Sequence, residues 1–267
     1  MRFFNNFKAV FKKQLKDFIK NPEVLIQFAI YPFIAFIINI LIDFENMASG
    51  VEMPQIEGMT DEMVTAITTA MTTAMDGNIP NMTIMQATIF AGMALIPVVA
   101  GIIAEDIEMK RLRFLMMAGV RPAPYLLGVG GVIFLISFIT SVAFSFIGGF
   151  AGINFLIFTA AMMSGVAGSI VLGATIGVLT KNQQTATSLA MPAAMILGFG
   201  PMLAQFNENI ARGLNIFYTQ QLNVIADSLN GAAAGTPLWQ SFVIMWVNVL
   251  ILGVLFAVVF VKKGLKE

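Results

Sequence analysis

Six stretches of the chain stay apolar long enough to cross a bilayer, and short polar connections separate them. They cover residues 24–42, 84–104, 123–148, 153–179, 187–205 and 239–261. An α-helix rises about 1.5 Å per residue, so each would reach across a hydrocarbon layer about 30 Å thick, some with tilt. The fifth is short and holds Pro192 and the run GFGP at 198–201. A kink or break is expected there, because proline removes a backbone donor and clashes with the preceding turn.

The first 20 residues follow a different period. Phe3, Phe4, Phe7, Phe11, Leu15 and Phe18 recur at spacings of one, three and four, while Lys8, Lys12, Lys13, Lys16 and Lys20 fill the remaining positions. That pattern predicts an amphipathic helix over 1–20, lying in the membrane interface with its bases near lipid headgroups. Asn21, Pro22 and Glu23 then turn the chain into the first span. Two further helical patterns fall between spans. One covers 60–76 within a 44–83 loop, with Thr60 as its cap and Asp61 and Glu62 in its first turn. The other lies within 206–238, where Ile210, Leu214, Phe217, Ile225 and Leu229 are near helical spacing.

The bases fix an orientation for this pattern. With six spans, fourteen of the fifteen Lys and Arg residues fall on one side, and only Arg212 on the other. The 44–83 connection carries six acids and no base. Cytoplasmic loops are enriched in Lys and Arg, so both termini are expected inside and the 44–83 and 206–238 segments outside. The expected fold class is an all-α polytopic membrane protein. It has one transmembrane domain over 1–267, six transmembrane helices and an interfacial N-terminal helix.

Composition sharpens this reading mainly by exclusion. Hydrophobic residues make up 58% of the 267 positions and charged residues 11%, with a mean hydropathy of +0.84. Soluble domains carry about 25% charged residues. The net charge is zero, so nothing points to nucleic acid. Cysteine and histidine are absent, which excludes disulfides, thiolate nucleophiles, imidazole bases and soft-metal sites. No phosphate-binding G-x-x-x-x-G-K-[ST] occurs, and no Asp, Glu, Lys or Arg lies inside a span. Uphill movement of a substrate would therefore draw its energy from another polypeptide. Ser164 and Ser169 have no evident catalytic partner, so no enzyme chemistry is expected. The polar residues inside spans, such as Asn39 and Asn248, are expected to hydrogen-bond between helices. Gly165, Ser169, Gly173 and Gly177 form a small-xxx-small line that suits close helix packing, within the subunit or at an interface.

The connection at 105–125, EDIEMKRLRFLMMAGVRPAPY, gathers seven charges in an otherwise apolar chain. Positive-inside bias accounts for its four bases but not for the acids before them or the paired prolines after. With Glu105 and Asp106 at its start, a helical middle at 110–119, and Gly119, Tyr125 and Gly128 at its exit, this loop resembles that of ABC transporter permeases of the type-2 exporter class. The resemblance extends to the short 179–187 turn, the proline-containing fifth span, the outer segment before the last span and the basic C-terminus. The chain departs from that family at Lys110–Leu112, where a small pair is usual, and at Val129, where many members carry lysine.

That resemblance implies a coupling helix within 105–122 that docks on a separate cytoplasmic ATPase. Glu105, Asp106, Glu108, Lys110, Arg111, Arg113, Phe114, Met116, Met117 and Arg121 are its candidate contact residues. ATP and magnesium would belong to that partner, and this chain would hold no cofactor or metal of its own. A second permease chain, identical or related, would complete the membrane domain in a bacterial plasma membrane. The substrate would be apolar or amphipathic: a drug, an antimicrobial peptide or a lipid-like molecule. An immunity or sensing module that clears peptide toxins from the membrane, and a passive channel or scaffold, are the alternatives.

Overall fold

The computed structural model describes residues 2–49, 78–204, 208–231 and 237–264, all helices and short turns. The helical pattern expected over 60–76 lies outside the described residues. In chain order the helices are α1 (Arg2–Lys20), α2 (Pro22–Ser49), α3 (Asn78–Ile89), a π-helical turn (Phe90–Ala94), α4 (Leu95–Glu108), α5 (Arg111–Met117) and α6 (Pro122–Ile147). They continue with α7 (Gly152–Leu179), α8 (Gln183–Ala204), α9 (Glu208–Leu214), α10 (Tyr218–Leu229) and α11 (Leu238–Gly264). Among the described residues, six helical segments are long and apolar enough to cross a membrane, and each overlays a span expected from hydropathy. The chain has the architecture of a multi-pass membrane protein.

The fifth span is not broken. α8 runs unbroken through Pro192 and Pro201. The irregular turn occurs instead in the second span, and Pro97 explains it. Pro97 has no N–H for the carbonyl of Met93, and its ring crowds that carbonyl. Widening the turn just before it, Phe90–Ala94, to π geometry relieves the conflict without breaking the helix.

This second span, α3 through α4, is the axis of the bundle and is almost wholly buried. The small-residue line of α7 packs against it within the same chain. Ser169 Oγ donates to the carbonyl oxygen of Ala91. A Cβ added at Gly173 would lie 2.6 Å from the Ile96 carbonyl oxygen, and one at Gly177 would lie 2.7 Å from that of Ala100. The two backbones touch, so these glycines are consumed by internal packing. On the opposite flank, a Cβ at Gly92 would sit 2.7 Å from the backbone nitrogen of Gly198 in α8. The π turn is thus clamped between α7 and α8. The first and last spans, by contrast, are mostly exposed, with Ile26, Phe33, Leu250 and Val254 among their bare apolar side chains.

Helix α1 packs along α6, with Val10 against Gly128 and Phe11 against Gly131. Its buried line is Val10, Gln14 and Phe18. The packing face is therefore rotated from the predicted phenylalanine stripe, and Phe4 remains exposed. Phe18 continues into an aromatic chain: Phe18–Phe28 centroids lie 5.4 Å apart, Phe28–Phe90 5.6 Å and Phe90–Phe144 5.9 Å. Edge-to-face contacts of this kind tie the amphipathic helix to the first residue of the π turn.

At the end of the bundle away from α5, helices α9 and α10 fold back into its interior. Leu214 meets Gly200, and the Tyr218 ring lies over Gly168, deep along α7. Tyr218 Oη is 2.8 Å from Ser169 Oγ, and Asn248 Nδ2 donates to the Ile216 carbonyl oxygen at 2.8 Å. The turn between α9 and α10 therefore reaches the middle of the bundle rather than lying on its end. Asn39 likewise links helices, donating to the Ile147 carbonyl oxygen at 2.8 Å.

Candidate coupling site

The segment between α4 and α6 has its geometry set residue by residue. Lys110, φ 57°, is the one non-glycine residue with a left-handed backbone among those described. It ends α4, donating its N–H to the Ile107 carbonyl oxygen at 2.9 Å, and its own carbonyl starts α5. Seven residues later α5 stops in a Schellman motif. The Gly119 N–H bonds the Met116 carbonyl oxygen at 2.9 Å, and the Val120 N–H bonds that of Leu115 at 3.0 Å. Gly119 takes φ 82°, where a Cβ would be strained. Arg121 is extended, as a residue before proline must be, and Pro122 opens α6 at its first position. The short helix is thus held between two fixed corners.

A left-handed lysine costs about 1 kcal/mol relative to glycine. Lys110→Gly is therefore expected to raise the thermal unfolding temperature in detergent, and Lys110→Ala to leave it unchanged or lower. Equal effects of the two would show that the corner is not strained.

Behind α5 lies an ion network. Asp106, 3% exposed, receives a 2.8 Å bond from Lys13 Nζ of α1 and a 3.1 Å bond from the Tyr125 hydroxyl of α6. Arg111 lies 3.6 Å from the same carboxylate and bonds Glu105 at 3.0 Å. One carboxylate therefore ties α1, α4, α5 and α6 together. Glu108 points the other way, and its Oε2 accepts the Gln183 N–H at 3.0 Å. Asn182 Oδ1 caps the Thr185 N–H at 2.8 Å. Together they satisfy two of the open donors that begin α8. The end of the second span is thus joined to the start of the fifth through Glu108.

The predicted contact residues therefore divide. Asp106 faces inward, and Glu105, Glu108 and Arg111 are engaged by neighbours in this chain. Lys110, Arg113 and Arg121 are exposed. Phe114 and Met117 are 66% and 67% exposed, while Leu112 is buried and anchors the helix. Met116 is half-buried and lines a groove of about 780 Å³ with Lys110, Arg113, Met117, Lys181 of the short 180–182 turn and Phe260 of α11. Three bases rim an apolar floor, and one acid, Glu108, is present but already bonded. Such a groove suits an acidic, amphipathic segment, with the charges steering and the methionines adapting to shape.

Lys13, Gln183, Lys181 and Phe260 were not expected in this site. Lys13 reads from sequence as one more headgroup-facing base, and its partner lies 93 residues away. Lys181 has a visible signal, since it is the lone base of the short turn that hydropathy places on the same side as 105–122. Among the described residues no group of three or more Asp or Glu is placed to hold a metal ion. No protein-family model and no curated protein matches this chain.

Proposed function

We propose that this chain is the membrane subunit of an ATP-driven exporter that moves an apolar or amphipathic molecule. The end carrying α5 would face the cytoplasm, and a separate ATPase would bind there. The carrying observation is α5 itself: a rigidly cornered helix that projects Phe114 and Met117 into solvent beside a groove rimmed by Lys110, Arg113 and Lys181. A soluble end of a membrane bundle gains nothing from two bare apolar tips unless something covers them. The chain offers no nucleotide cradle, and its apolar stretches 24–42, 84–104, 123–148, 153–179, 187–205 and 239–261 hold no charge. Energy must then arrive through a protein contact, and ATP and magnesium would sit in that partner.

The mechanism follows from how force would pass. A push on α5 meets no soft corner, because the Schellman stop and the Arg121–Pro122 step are both fixed. It passes to α6 directly, to α4 through Lys110, to α1 through Asp106 and to α8 through Glu108. The second and fifth spans meet at Gly92, within the π turn, and Gly198, where the regular helix is already interrupted. Relative movement there would open or close a path along the bundle. A second copy or a related chain would complete that path, and the exposed first and last spans offer apolar surface for it or for lipid.

The test is co-purification of a tagged chain from its native membrane with measurement of ATP hydrolysis. Reversal of Lys110, Arg113 and Lys181 to Glu is expected to abolish the associated ATPase activity, while Arg212→Glu at the other end leaves it intact. Arg111 is not a clean probe, since it holds Glu105 and Asp106. Full ATPase association in the triple variant would overturn the assignment.

A further inference from the structure

We infer that a second cavity, between α1, the start of α2 and the end of α4, binds the phosphoethanolamine headgroup of a membrane phospholipid. It has a volume of about 520 Å³, and Asp106 is part of its wall. This site rests on the multi-pass membrane architecture alone and stands or falls independently of the exporter reading.

Its depth is set by the spans that form it. Val24, in its wall, begins the first span, and Ile102 and Glu105 lie in the last turns of the second. Ile19 and Ile26, close in sequence to lining residues of α1 and α2, are 63% and 61% accessible, and Lys16 and Lys20 of α1 are exposed as well. The cavity therefore sits where an apolar surface gives way to a charged one, the level of lipid headgroups. Phe18, Pro22 and Val24 supply an apolar lip for the glycerol backbone and the first methylenes of the acyl chains.

Its charges select the headgroup. Three bases line it, Lys13, Lys20 and Arg111, and three acids, Asp17, Glu105 and Asp106, so the wall carries no net charge. Glu105 and Asp106 are already ion-paired within the chain. Among the described residues, Asp17 and Lys20 form no ion pair although both face the cavity. Lys13 spends one of three donors on Asp106 and keeps the others. A phosphate can therefore take Lys20 and Lys13, and a primary ammonium can donate to Asp17. A choline headgroup has no N–H to donate. A purely anionic headgroup would bring a further negative charge to a wall with three carboxylates and leave Asp17 unmatched.

The test uses the full chain in lipid nanodiscs or detergent and reads bound lipid by native mass spectrometry. Phosphatidylethanolamine is expected to be retained about tenfold more strongly than phosphatidylcholine or phosphatidylglycerol of the same acyl chains. Asp17→Asn is expected to remove the preference over phosphatidylcholine. Lys20→Gln is expected to weaken phosphatidylethanolamine retention, with thermal unfolding showing that both variants stay folded. Soluble glycerophosphoethanolamine, added to millimolar concentration, is expected not to displace the lipid. Equal retention of the three lipids, or unchanged selectivity in both variants, overturns the site. Saturable binding of the soluble headgroup without retention of the lipid overturns its assignment to a membrane lipid.

Discussion

Asp106→Ala is expected to free α1 from the bundle and to cost about 3 kcal/mol of stability, the larger of the electrostatic effects in this chain. The carboxylate is 3% exposed and is the shared acceptor for Lys13 and Tyr125, with Arg111 close by. Its removal strands the Tyr125 hydroxyl, which is fully buried, and an unmet buried donor costs about 1–3 kcal/mol by itself. It also leaves Lys13 without its carboxylate beside Arg111, which keeps only Glu105. Their side chains are 36% and 43% exposed, so water softens the repulsion between these two bases and keeps the total at the lower end for a broken buried pair. Asp106→Asn keeps an acceptor for Tyr125 and is expected to cost less, and Lys13→Gln less again, because Lys13 already reaches solvent.

Two measurements check this ordering. Thermal unfolding in detergent reads the stability. The chain contains no cysteine, so a single Val10→Cys reporter at the α1–α6 contact reads the docking of α1 by its thiol labelling rate. Fast labelling in the Asp106→Ala background and slow labelling in the parent is the expected result. If labelling and unfolding temperature are both unchanged, Asp106 does not hold α1.

The spans were legible because their signal is a length and a mean, and a bilayer demands both. α7 and α11 begin and end within a few residues of the apolar runs that announce them. What the sequence could not display was pairing. Lys13 and Asp106 are separated by 93 positions, and neither carries any local mark of the other. The small-residue line of α7 was visible as a packing face, but its partner was not, and the structure assigns it to the second span of the same chain. A five-residue π turn has too short a period to detect, although Pro97 inside an apolar run was its cause in plain sight. The depth of the α9–α10 segment, on the outer interface or dipping into it, stayed open in the sequence for another reason. Gln220, Gln221 and Asn223 look like the wet face of a surface helix, yet all three are buried. The Gln221 amide donates back to Asn215, while its oxygen and that of Gln220 have no protein partner. Polar composition alone could not announce a helix that dips into the bundle.

The candidate site was legible as a place more than as a set of contacts. The charge cluster, the apolar tip and the double proline all pointed to 105–122, and α5 lies there. Acids and bases close in sequence, however, neutralise one another before they reach any partner. Glu105 took Arg111, and Glu108 took the start of α8. The exposed remainder, Lys110, Arg113, Phe114, Met117 and Arg121, is smaller and more basic than the stretch from which it came. Lys181 joins it from a turn about seventy residues away.

Gly173→Leu is expected to be more damaging than any charge change, because the atoms it would strike are backbone. A Cβ at this position lies 2.6 Å from the Ile96 carbonyl oxygen and 2.8 Å from the Val99 Cβ, before any further carbon is added. Flexible side chains can rotate away from an intruder, but a carbonyl in a helix cannot. α7 must therefore separate from the second span along a contact that includes Gly177 against α4 and Ser169 against the π turn, and overpacking of this kind costs about 3 kcal/mol or more. The damage would spread, since α4 carries Asp106 and Glu108 at its end and the π turn at its beginning. Gly173→Ala, a single methyl, is expected to cost roughly 1–3 kcal/mol. Gly253→Ala on α11 is the control: nothing lies within 4 Å of its Cβ position, and alanine favours the helix over glycine by about 1 kcal/mol. Yield of monodisperse protein and thermal unfolding in detergent should rank the variants Gly253→Ala, Gly173→Ala, Gly173→Leu, from most to least stable. A Gly173→Leu protein that unfolds with the parent would mean that α7 and α4 are not in backbone contact.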